Sequence, residues 1–163
     1  MRANETVPSE ATAPGSEARS SATTAPAGAG GPGSRRQADT AGRVARDWVS
    51  AWTTGDLDSV RTILATDATV ESNLGWPLGR DHLLDLLQRL AQRLESVALL
   101  SLTAGADRAA LLYDCRTREP AGTIRLAEFL EVSGAQVTGV RRVYDLTAVD
   151  VLLPDLRHRS AES

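Results

Sequence analysis

The chain has 163 residues with a net charge of −3, and its acidic excess lies from residue 38 onward. That part of the chain lacks the basic face that phosphate backbones require, which excludes nucleic acid as a partner. No segment approaches the ~18 consecutive apolar residues of a membrane span, so we expect no membrane association.

The first 37 residues are dominated by Ala, Gly, Pro, Ser and Thr, and such a segment cannot bury enough apolar area to offset its backbone entropy. We therefore predict a disordered tail over 1–37, one folded domain over 38–157 and a frayed C-terminus over 158–163. The tail lacks the apolar run of a secretory signal, and the single cysteine, Cys115, excludes an intrachain disulfide. These features favour a cytoplasmic protein. Two histidines and one cysteine, far apart, predict no metal site.

Two helices are predicted at the start of the domain. The first is capped by Asp39 or Thr40 and ends at Gly55. The second is capped by Asp56 or Asp58. The first helix carries an apolar stripe that includes Val44, Trp48 and Trp52.

A short strand is predicted over 67–73, where side chains alternate between two faces. Glu71 and Asn73 lie on one side of it, and Ser72 lies on the other. The loop that follows contains glycine and proline and carries Trp76, a large aromatic residue that indicates a rim, a lid or a dimer contact.

Asp81 is predicted to cap a third helix, whose leucine stripe can lie across a sheet. Four strand-like segments follow it, at 97–104, 109–117, 123–132 and 135–144. Because only short turns separate them, neighbouring strands should be antiparallel. Helices followed by a strand meander predict an α+β fold, with a curved antiparallel sheet packed on about three N-terminal helices.

Two segments of the chain resemble a known family. GDLDSVRTILATDATVE at 55–71 and SGAQVTGVRRVYD at 133–145 resemble the nuclear transport factor 2-like superfamily, in its group of SnoaL-like polyketide cyclases and ketosteroid isomerases. The resemblance covers about residues 40–146. It implies a cone-shaped fold with one internal pocket and a homodimer formed through the outer sheet face. It also implies cofactor-free acid–base chemistry on a hydrophobic small molecule: cyclisation, isomerisation or epoxide opening in bacterial secondary metabolism, such as polyketide and antibiotic biosynthesis.

The positions that carry ketosteroid isomerase chemistry are changed in this sequence. Trp48 stands at the position of the isomerase tyrosine, Ser72 at that of the general base, and Ala127 at that of the second acid. A serine hydroxyl cannot take the proton of a carbon acid unaided, so steroid isomerisation by that mechanism is not expected. Glu71 would replace the base only if a bulge shifted the strand register.

Polar residues recur on the later strands. Tyr113 and Cys115 share one face of their strand, which is either the pocket side or a face packed under the third helix. Cys115 is interpreted as buried filler, because no histidine is placed to activate it. Arg142 and Tyr144 share a face that lines the cavity by the isomerase pattern, and Asp145 closes that strand.

The strand at 123–132 presents two different faces. By the isomerase pattern, Arg125, Ala127 and Phe129 face the pocket, and Glu128 takes the opposite face. Two interpretations of the polar residues stay open. They form an acid–base cluster in a dry cavity, or they form a structural network of ion pairs at a sheet edge or dimer interface.

The sequence thus yields a set of candidate residues for the site. The predicted catalytic residues are Asp145, Glu128, Tyr113 and Glu71. The predicted substrate-binding residues are Trp48, Trp52, Asn73, Trp76, Arg125, Phe129, Arg142 and Tyr144. The tryptophans would hold a flat apolar ligand or pack as ordinary core. The alternative to an enzyme is a non-catalytic ligand-binding or dimerisation module of the same fold.

Overall fold

The computed structural model describes residues 32–73, 79–118 and 122–152. Four helices and five strands lie in this part of the chain. The helices are α1 (Pro32–Thr54), α2 (Leu57–Ile63), α3 (Arg80–Arg93) and α4 (Leu146–Leu152). The strands are β1 (Leu64–Ser72), β2 (Leu94–Ala104), β3 (Arg108–Thr117), β4 (Thr123–Ser133) and β5 (Gln136–Tyr144).

The five strands form one curved, unclosed sheet in the order β1-β5-β4-β3-β2. Within β2 to β5, each strand is antiparallel to the next, as predicted from the short turns between them. β1 pairs with β5 in parallel, so the sheet is mixed and not wholly antiparallel. No tight turn joins these two strands, so the turn rule that predicts antiparallel neighbours does not apply to them. The α+β class with a curved sheet on helices is confirmed.

The first helix is longer than the sequence pattern predicted. It begins at Pro32 and not after Asp39, which is possible because proline is tolerated in the first turn of a helix. Its buried face includes Trp48 and Trp52. Gly55, with a φ of 78°, ends the helix in the left-handed conformation that favours glycine.

The caps of the next two helices differ in kind. The side chain of Asp56 accepts a hydrogen bond from the backbone N–H of Ser59, which confirms Asp56 as the cap of α2. The residue that caps α3 is Gly79, without a side-chain hydrogen bond. The predicted cap at Asp81 is therefore wrong, and Asp81 lies in the first turn of the helix.

Two faces of the sheet have different surroundings. We call the side that packs on the helices the inner face and the opposite side the outer face. β3 and β4 alternate strictly between the two. The buried, inner residues of β4 are Ile124, Leu126, Glu128, Leu130 and Val132.

Arg125, Ala127 and Phe129 lie on the outer face of β4, and their predicted orientation toward the interior is wrong. Both faces of this strand contain apolar side chains, and the isomerase alignment selected the wrong one. The alternation of Glu128 with these residues was predicted correctly, and Glu128 lies on the inner face.

β1 has a register irregularity between Leu64 and Thr69. Beyond it, Val70 is buried and Glu71 is exposed, so the irregularity does not turn Glu71 inward. None of the helices in the described ranges is both long enough and apolar enough to cross a membrane.

Candidate functional site

A cluster of polar and aromatic side chains lies between the inner face of the sheet and α1. Its central residues are Glu128 on β4 and Arg142 on β5, which are direct cross-strand partners in the antiparallel register. Side chains of directly opposed residues lie on the same face within contact distance. The register therefore brings a glutamate and an arginine together where all neighbouring inner residues of β4 are apolar.

Glu128 and Arg142 are both fully buried, at 0% exposed surface. Glu128 Oε1 lies 2.7 Å from Arg142 Nε, and Glu128 Oε2 accepts a hydrogen bond of 2.7 Å from the Tyr113 hydroxyl. The Oε1–Nε contact meets the distance of an ion pair but lacks the alignment of a hydrogen bond. We treat it as a contact between charges, since charge attraction depends far less on angle.

Arg142 also connects the two tyrosines of the cluster. Its Nη2 donates to the Tyr113 hydroxyl at 3.1 Å, and its Nη1 donates to the Tyr144 hydroxyl at 3.1 Å. The guanidinium carbon lies 4.7 Å from the ring centre of Trp52 and 5.4 Å from that of Tyr144. These cation–π contacts stabilise the charge of a guanidinium that is inaccessible to solvent.

Burial and charge shift the ionisation of the cluster. Burial raises the pKa of Tyr113 well above its usual value, and the negative charge of Glu128 raises it further. Burial also raises the pKa of Tyr144. Burial alone would lower the pKa of Arg142, but the charge of Glu128 and the contacts with Tyr144 and Tyr113 together outweigh it and hold that pKa well above its usual value. At neutral pH both phenols therefore keep their protons, and the guanidinium keeps its charge.

Cys115 lies next along the inner face of β3 and is 1% exposed. Burial raises the pKa of its thiol to about 12, despite the opposing effect of Arg142. A thiol that stays protonated at neutral pH is a poor nucleophile, which supports the interpretation of Cys115 as buried filler.

The indole N–H groups of Trp48 and Trp52 have no acceptor among the described residues. Trp48 and Trp52 are both 0% exposed, and neither indole N–H has a hydrogen-bond partner in the described structure. A buried donor without a partner costs about 1–3 kcal/mol. An arrangement of this kind invites a functional explanation, because buried polar groups in folded proteins are nearly always paired.

The structure brings six of the predicted site residues together. All of them are buried on the inner face of the sheet or on the face of α1 that packs against it. They are Trp48, Trp52, Tyr113, Glu128, Arg142 and Tyr144. Trp52 contacts Tyr113 directly, with ring centres 5.8 Å apart.

Three predicted residues lie apart from the cluster. Asp145 is exposed, and its Oδ1 accepts the backbone N–H of Thr147 at 3.0 Å at the start of α4, so its expected place in the polar cluster is wrong. Glu71 is exposed and pairs with Arg141 at 2.7 Å. Asn73 binds the backbone of Tyr144. These contacts give each residue a structural partner, and none of the three side chains joins the buried side chains of the cluster.

Arg125 and Phe129 were expected in the pocket and are found on the outer face. Arg125 binds both carboxylate oxygens of Asp114, at 2.8 and 2.9 Å. Phe129 is 48% exposed and borders a surface groove of about 380 Å³. Trp76 lies outside the described residues.

The sequence did not predict the direct pairing of Glu128 with Arg142. A signal was present, because Glu128 is the one charged member of an otherwise apolar set of alternating residues on β4. A lone carboxylate on an apolar face requires a buried partner. Among the described residues, no group of three His, Cys, Asp or Glu side chains could hold a metal ion.

A family model places these observations in context. The model described as SnoaL-like domain matches residues 45–150, which is more than half of the chain. The chain belongs to the SnoaL-like domain family. The match runs from within α1 to within α4 and includes every residue of the buried cluster. No curated protein is similar enough in sequence to match the chain.

Solved structures with this fold come from several bacteria. A Kribbella flavida DSM 17836 protein is 26% identical, with a TM-score of 0.64 over 76% of this chain and 98% of its own. A steroid delta-isomerase from Pseudomonas aeruginosa is 16% identical, with a TM-score of 0.59 over 75% of this chain and 92% of its own. A Catenulispora acidiphila DSM 44928 protein with a ketosteroid isomerase-like fold, in complex with trimethylamine, is 20% identical. Its TM-score is 0.53 over 65% of this chain and 88% of its own. The matches below 25% identity indicate a shared fold.

Proposed function

We propose that this SnoaL-like protein is a cofactor-free enzyme that performs acid–base chemistry on a hydrophobic small molecule within its interior. The observation that carries the proposal is the buried carboxylate of Glu128, held by Arg142 and Tyr113, which both contact the ring of Trp52. Carboxylates fixed beside arginine in a water-poor site are a common basis for proton transfer. The proposed substrates are polyketide-like carbonyl compounds or epoxides from bacterial secondary metabolism, such as antibiotic biosynthesis.

Each residue of the cluster has a role in this proposal. Glu128 takes a proton from the carbon next to a substrate carbonyl, and the electron pair of the broken C–H bond moves toward the carbonyl oxygen. In isomerisation, the same proton returns to a different carbon. In cyclisation, the carbanion attacks a second carbonyl of the same molecule, and Glu128 returns its proton to the new alkoxide. Tyr113 and Tyr144 orient the oxygens, and Trp48 and Trp52 hold the carbon skeleton.

A second candidate function is a non-catalytic ligand-binding or dimerisation module. Both oxygens of Glu128 already contact side chains of the protein itself, Tyr113 and Arg142. A carboxylate saturated in this way can serve structure alone. The two candidates differ in one measurable respect, which is whether Glu128 exchanges a proton with a bound molecule.

Proton transfer can be tested without the natural substrate. 2-Tetralone is a compact, apolar ketone whose C1 protons are acidic, and their replacement by deuterium in D₂O is followed by proton NMR. We expect the protein to accelerate this exchange and Glu128→Gln to slow it about 100-fold or more, because a positioned base contributes roughly 10²–10⁴ in rate. Hydration of styrene oxide to its diol tests epoxide opening in the same way.

Glu95→Gln is the matched control, because Glu95 forms an exposed ion pair with Arg116 at 3.1 Å. Circular dichroism establishes that each variant is folded. If Glu128→Gln does not fold, Tyr113→Phe keeps the ion pair and should still lower the rate. If the wild-type protein binds 2-tetralone but both reactions proceed at the rate in buffer, the enzyme proposal is wrong and the protein is a binding module.

We also propose a homodimer and a cytoplasmic location. The dimer is supported by the exposed apolar side chains of the outer sheet face, of which Phe129 and Val143 are 48% and 43% exposed. The location is supported by the single buried cysteine, Cys115, which requires no oxidising compartment.

A further inference from the structure

β2, the edge strand of the sheet, leaves part of the inner face open to solvent. Within the described sheet it stands last in the strand order and pairs with β3. Tyr113 and Cys115 on the inner face of β3 are 0% and 1% exposed, and their direct partners on β2 are Leu99 and Val97. Directly opposed residues share a face, so Leu99 lies beside Tyr113 on the inner face. Leu99 is nevertheless 44% exposed.

A bulge in β2 lies at the same position. The register shifts between Leu99 and Ser101, so that two leucines, Leu99 and Leu100, stand opposite Tyr113. Leu100 is the extra residue and is 48% exposed. An extra residue locally interrupts the ladder of backbone hydrogen bonds, and bulges at sheet edges often re-aim a side chain beside a functional site. The backbone at Leu99 is therefore less constrained than that of a regularly paired strand.

Helix α1 packs against the other end of β2. A methyl group added to Gly42 would lie 3.4 Å from Ala104 Cβ and 3.9 Å from Leu102 Cδ2, so helix and strand approach closely there. Leu102 and Ala104 are accordingly half-buried. Leu99, further from this contact along the strand, stands between solvent and Tyr113, whose hydroxyl donates to Glu128.

The strand around Leu99 is uncharged. The segment 96–104 contains no acidic residue, no arginine and no histidine. An ion that passed over this segment would lose its hydration without gaining a partner, which is costly. An uncharged apolar molecule exchanges water for apolar contacts there, which is favourable.

We propose that Leu99 is the gate of the interior: its side chain swings aside at the bulge and admits uncharged apolar molecules to the space beside Tyr113. This inference rests on the proposed function in one respect, namely that a small molecule enters the interior. It adds the route of entry and the residue that selects what enters. The route is short, because directly opposed residues of antiparallel strands have β-carbons about 5 Å apart.

Cys115 is a built-in reporter of entry. It is the one thiol of the chain and lies two residues from Tyr113 on the same inner face. Methyl methanethiosulfonate is a small uncharged reagent: the thiolate forms a mixed disulfide with its methylthio group, and methanesulfinate leaves. Mass spectrometry follows this reaction on the wild-type protein. Because Cys115 is 1% exposed, the rate reports how often the interior opens.

The size of the gate side chain should set that rate. We expect Leu99→Ala to speed the modification of Cys115 about 5-fold, because truncation removes the apolar contact that a half-buried leucine adds to the closed state. Leu99→Trp should slow it, since a larger side chain fills the opening. Val151→Ala is the matched control, because Val151 is 47% exposed and lies on α4, and its rate should equal that of the wild type.

A charged reagent separates the gate from unfolding of the whole chain. Sulfonatoethyl methanethiosulfonate carries the same reactive group with an anionic end. Relative to their rates on the urea-unfolded chain, we expect it to modify the folded protein at least about 10-fold more slowly than the methyl reagent. Unfolding of the whole chain would admit both reagents alike, and its contribution would rise steeply with urea, whereas a local opening depends little on urea.

Two results would overturn the gate: equal rates in the wild type and Leu99→Ala, or rates that follow global unfolding in urea. Neither result bears on proton transfer. The proposed function fails separately, by 2-tetralone exchange that is unaffected by Glu128→Gln. If Leu99→Trp does not fold, Leu99→Ala and the pair of reagents still decide, since truncation of an exposed side chain leaves the buried core unchanged.

Discussion

The ion pair of Glu128 and Arg142 adds little net stability to the fold, but the loss of either partner is costly. Both lose their hydration on burial, and their attraction at 2.7 Å offsets that loss. When one partner is removed, the other remains as an unpaired buried charge. We therefore predict that Glu128→Gln lowers the free energy of unfolding by about 3–5 kcal/mol. The double variant Glu128→Leu/Arg142→Met should recover most of that loss, because neither charge remains.

Urea denaturation followed by circular dichroism measures this prediction. The exposed pair Glu95–Arg116 is the control, with side chains 55% and 68% exposed, and Glu95→Gln should cost at most about 1 kcal/mol. A double variant that is less stable than Glu128→Gln would contradict the prediction and would show that the pair contributes net stability.

The residues of this cluster could be predicted individually, but their contacts could not. Periodicity along β4 correctly separates Glu128 from Arg125 and Phe129. Which of the two faces is buried depends on the packing of α1, and the isomerase alignment gave the wrong answer. Four apolar residues beside Glu128 favoured the correct face, and the register that opposes Glu128 to Arg142 could not be read from either strand alone.

Asn73 fastens the end of β1 to β5. Its Nδ2 donates to the carbonyl oxygen of Tyr144 at 2.9 Å, and its Oδ1 accepts the backbone N–H of Tyr144 at 3.0 Å. The amide thereby imitates one more residue of strand pairing, next to the segment of β5 that carries Arg142 and Tyr144. We predict that Asn73→Ala lowers the free energy of unfolding by about 1–2 kcal/mol, since two hydrogen bonds are lost.

Hydrogen–deuterium exchange of the Tyr144 amide gives a local measurement of the same contact. We expect faster exchange in Asn73→Ala than in the wild type. Asn73→Asp is the matched control, because a carboxylate can still accept from the Tyr144 N–H but cannot donate to its carbonyl oxygen. Unchanged exchange in Asn73→Ala would mean that the amide is protected by β-sheet pairing alone.

Local sequence signals predicted most elements of the fold, but they could not predict the pairing of strands that are distant in the chain. Short turns set the antiparallel order of β2 to β5, and Asp56 marked the start of α2. The parallel pairing of β1 with β5 joins residues about 70 apart in the chain, as the Asn73–Tyr144 contact illustrates. Such a pairing is determined by how the whole sheet closes over the helices and carries no turn signature.

Alkaline pH should destabilise the whole molecule. The pKa of Cys115 is raised to about 12, and those of Tyr113 and Tyr144 are also raised, each first by burial. The folded state therefore retains protons that the unfolded chain releases. Their stabilising contribution is complete below the unfolded pKa, about 8.5 for cysteine and 10 for tyrosine, and declines as pH rises through the folded values.

We predict a free energy of unfolding that falls from about pH 9 upward, with a slope from Cys115 alone that approaches 1.4 kcal/mol per pH unit. Urea denaturation at intervals between pH 7 and pH 11 measures it. Cys115→Ala should remove the decline between pH 9 and pH 10 and make the decline above pH 10 shallower, because only the tyrosines then contribute there. A stability that stays constant up to pH 11 would contradict the burial of these groups.

The outer face of the sheet has the composition of an interface between two copies of the chain. Cross-strand pairing aligns apolar side chains of β3, β4 and β5 into one patch. The patch consists of Ala110, Leu112, Ala127, Phe129 and Val143. Ion pairs lie beside it, Asp114–Arg125 at one end and Glu71–Arg141 at the other. An apolar centre with a charged rim is typical of protein–protein interfaces.

Phe129 is the most direct test of this interface, because it is the one aromatic residue of the patch and is 48% exposed in the single chain. We predict that the wild-type protein sediments at about twice its chain mass of 17.3 kDa, and that Phe129→Asp sediments as a monomer. A twofold arrangement would set two such charges near each other in a buried region, which doubles the penalty. Val151→Asp is the control, since Val151 is 47% exposed and lies on α4, which is not one of the strands that form the patch.

Analytical ultracentrifugation of the three proteins over a range of concentrations provides the masses. A monomeric wild type, or a dimer that persists in Phe129→Asp, would contradict the prediction. Phe129 and Glu128 are consecutive residues on opposite faces of β4. A contact between two copies at Phe129 would therefore restrict the motion of the strand that carries the buried carboxylate. Loss of the dimer should therefore speed amide exchange along β4. If exchange there is unchanged in a monomeric Phe129→Asp, the packing of the helices on the inner face is sufficient to hold Glu128 in place.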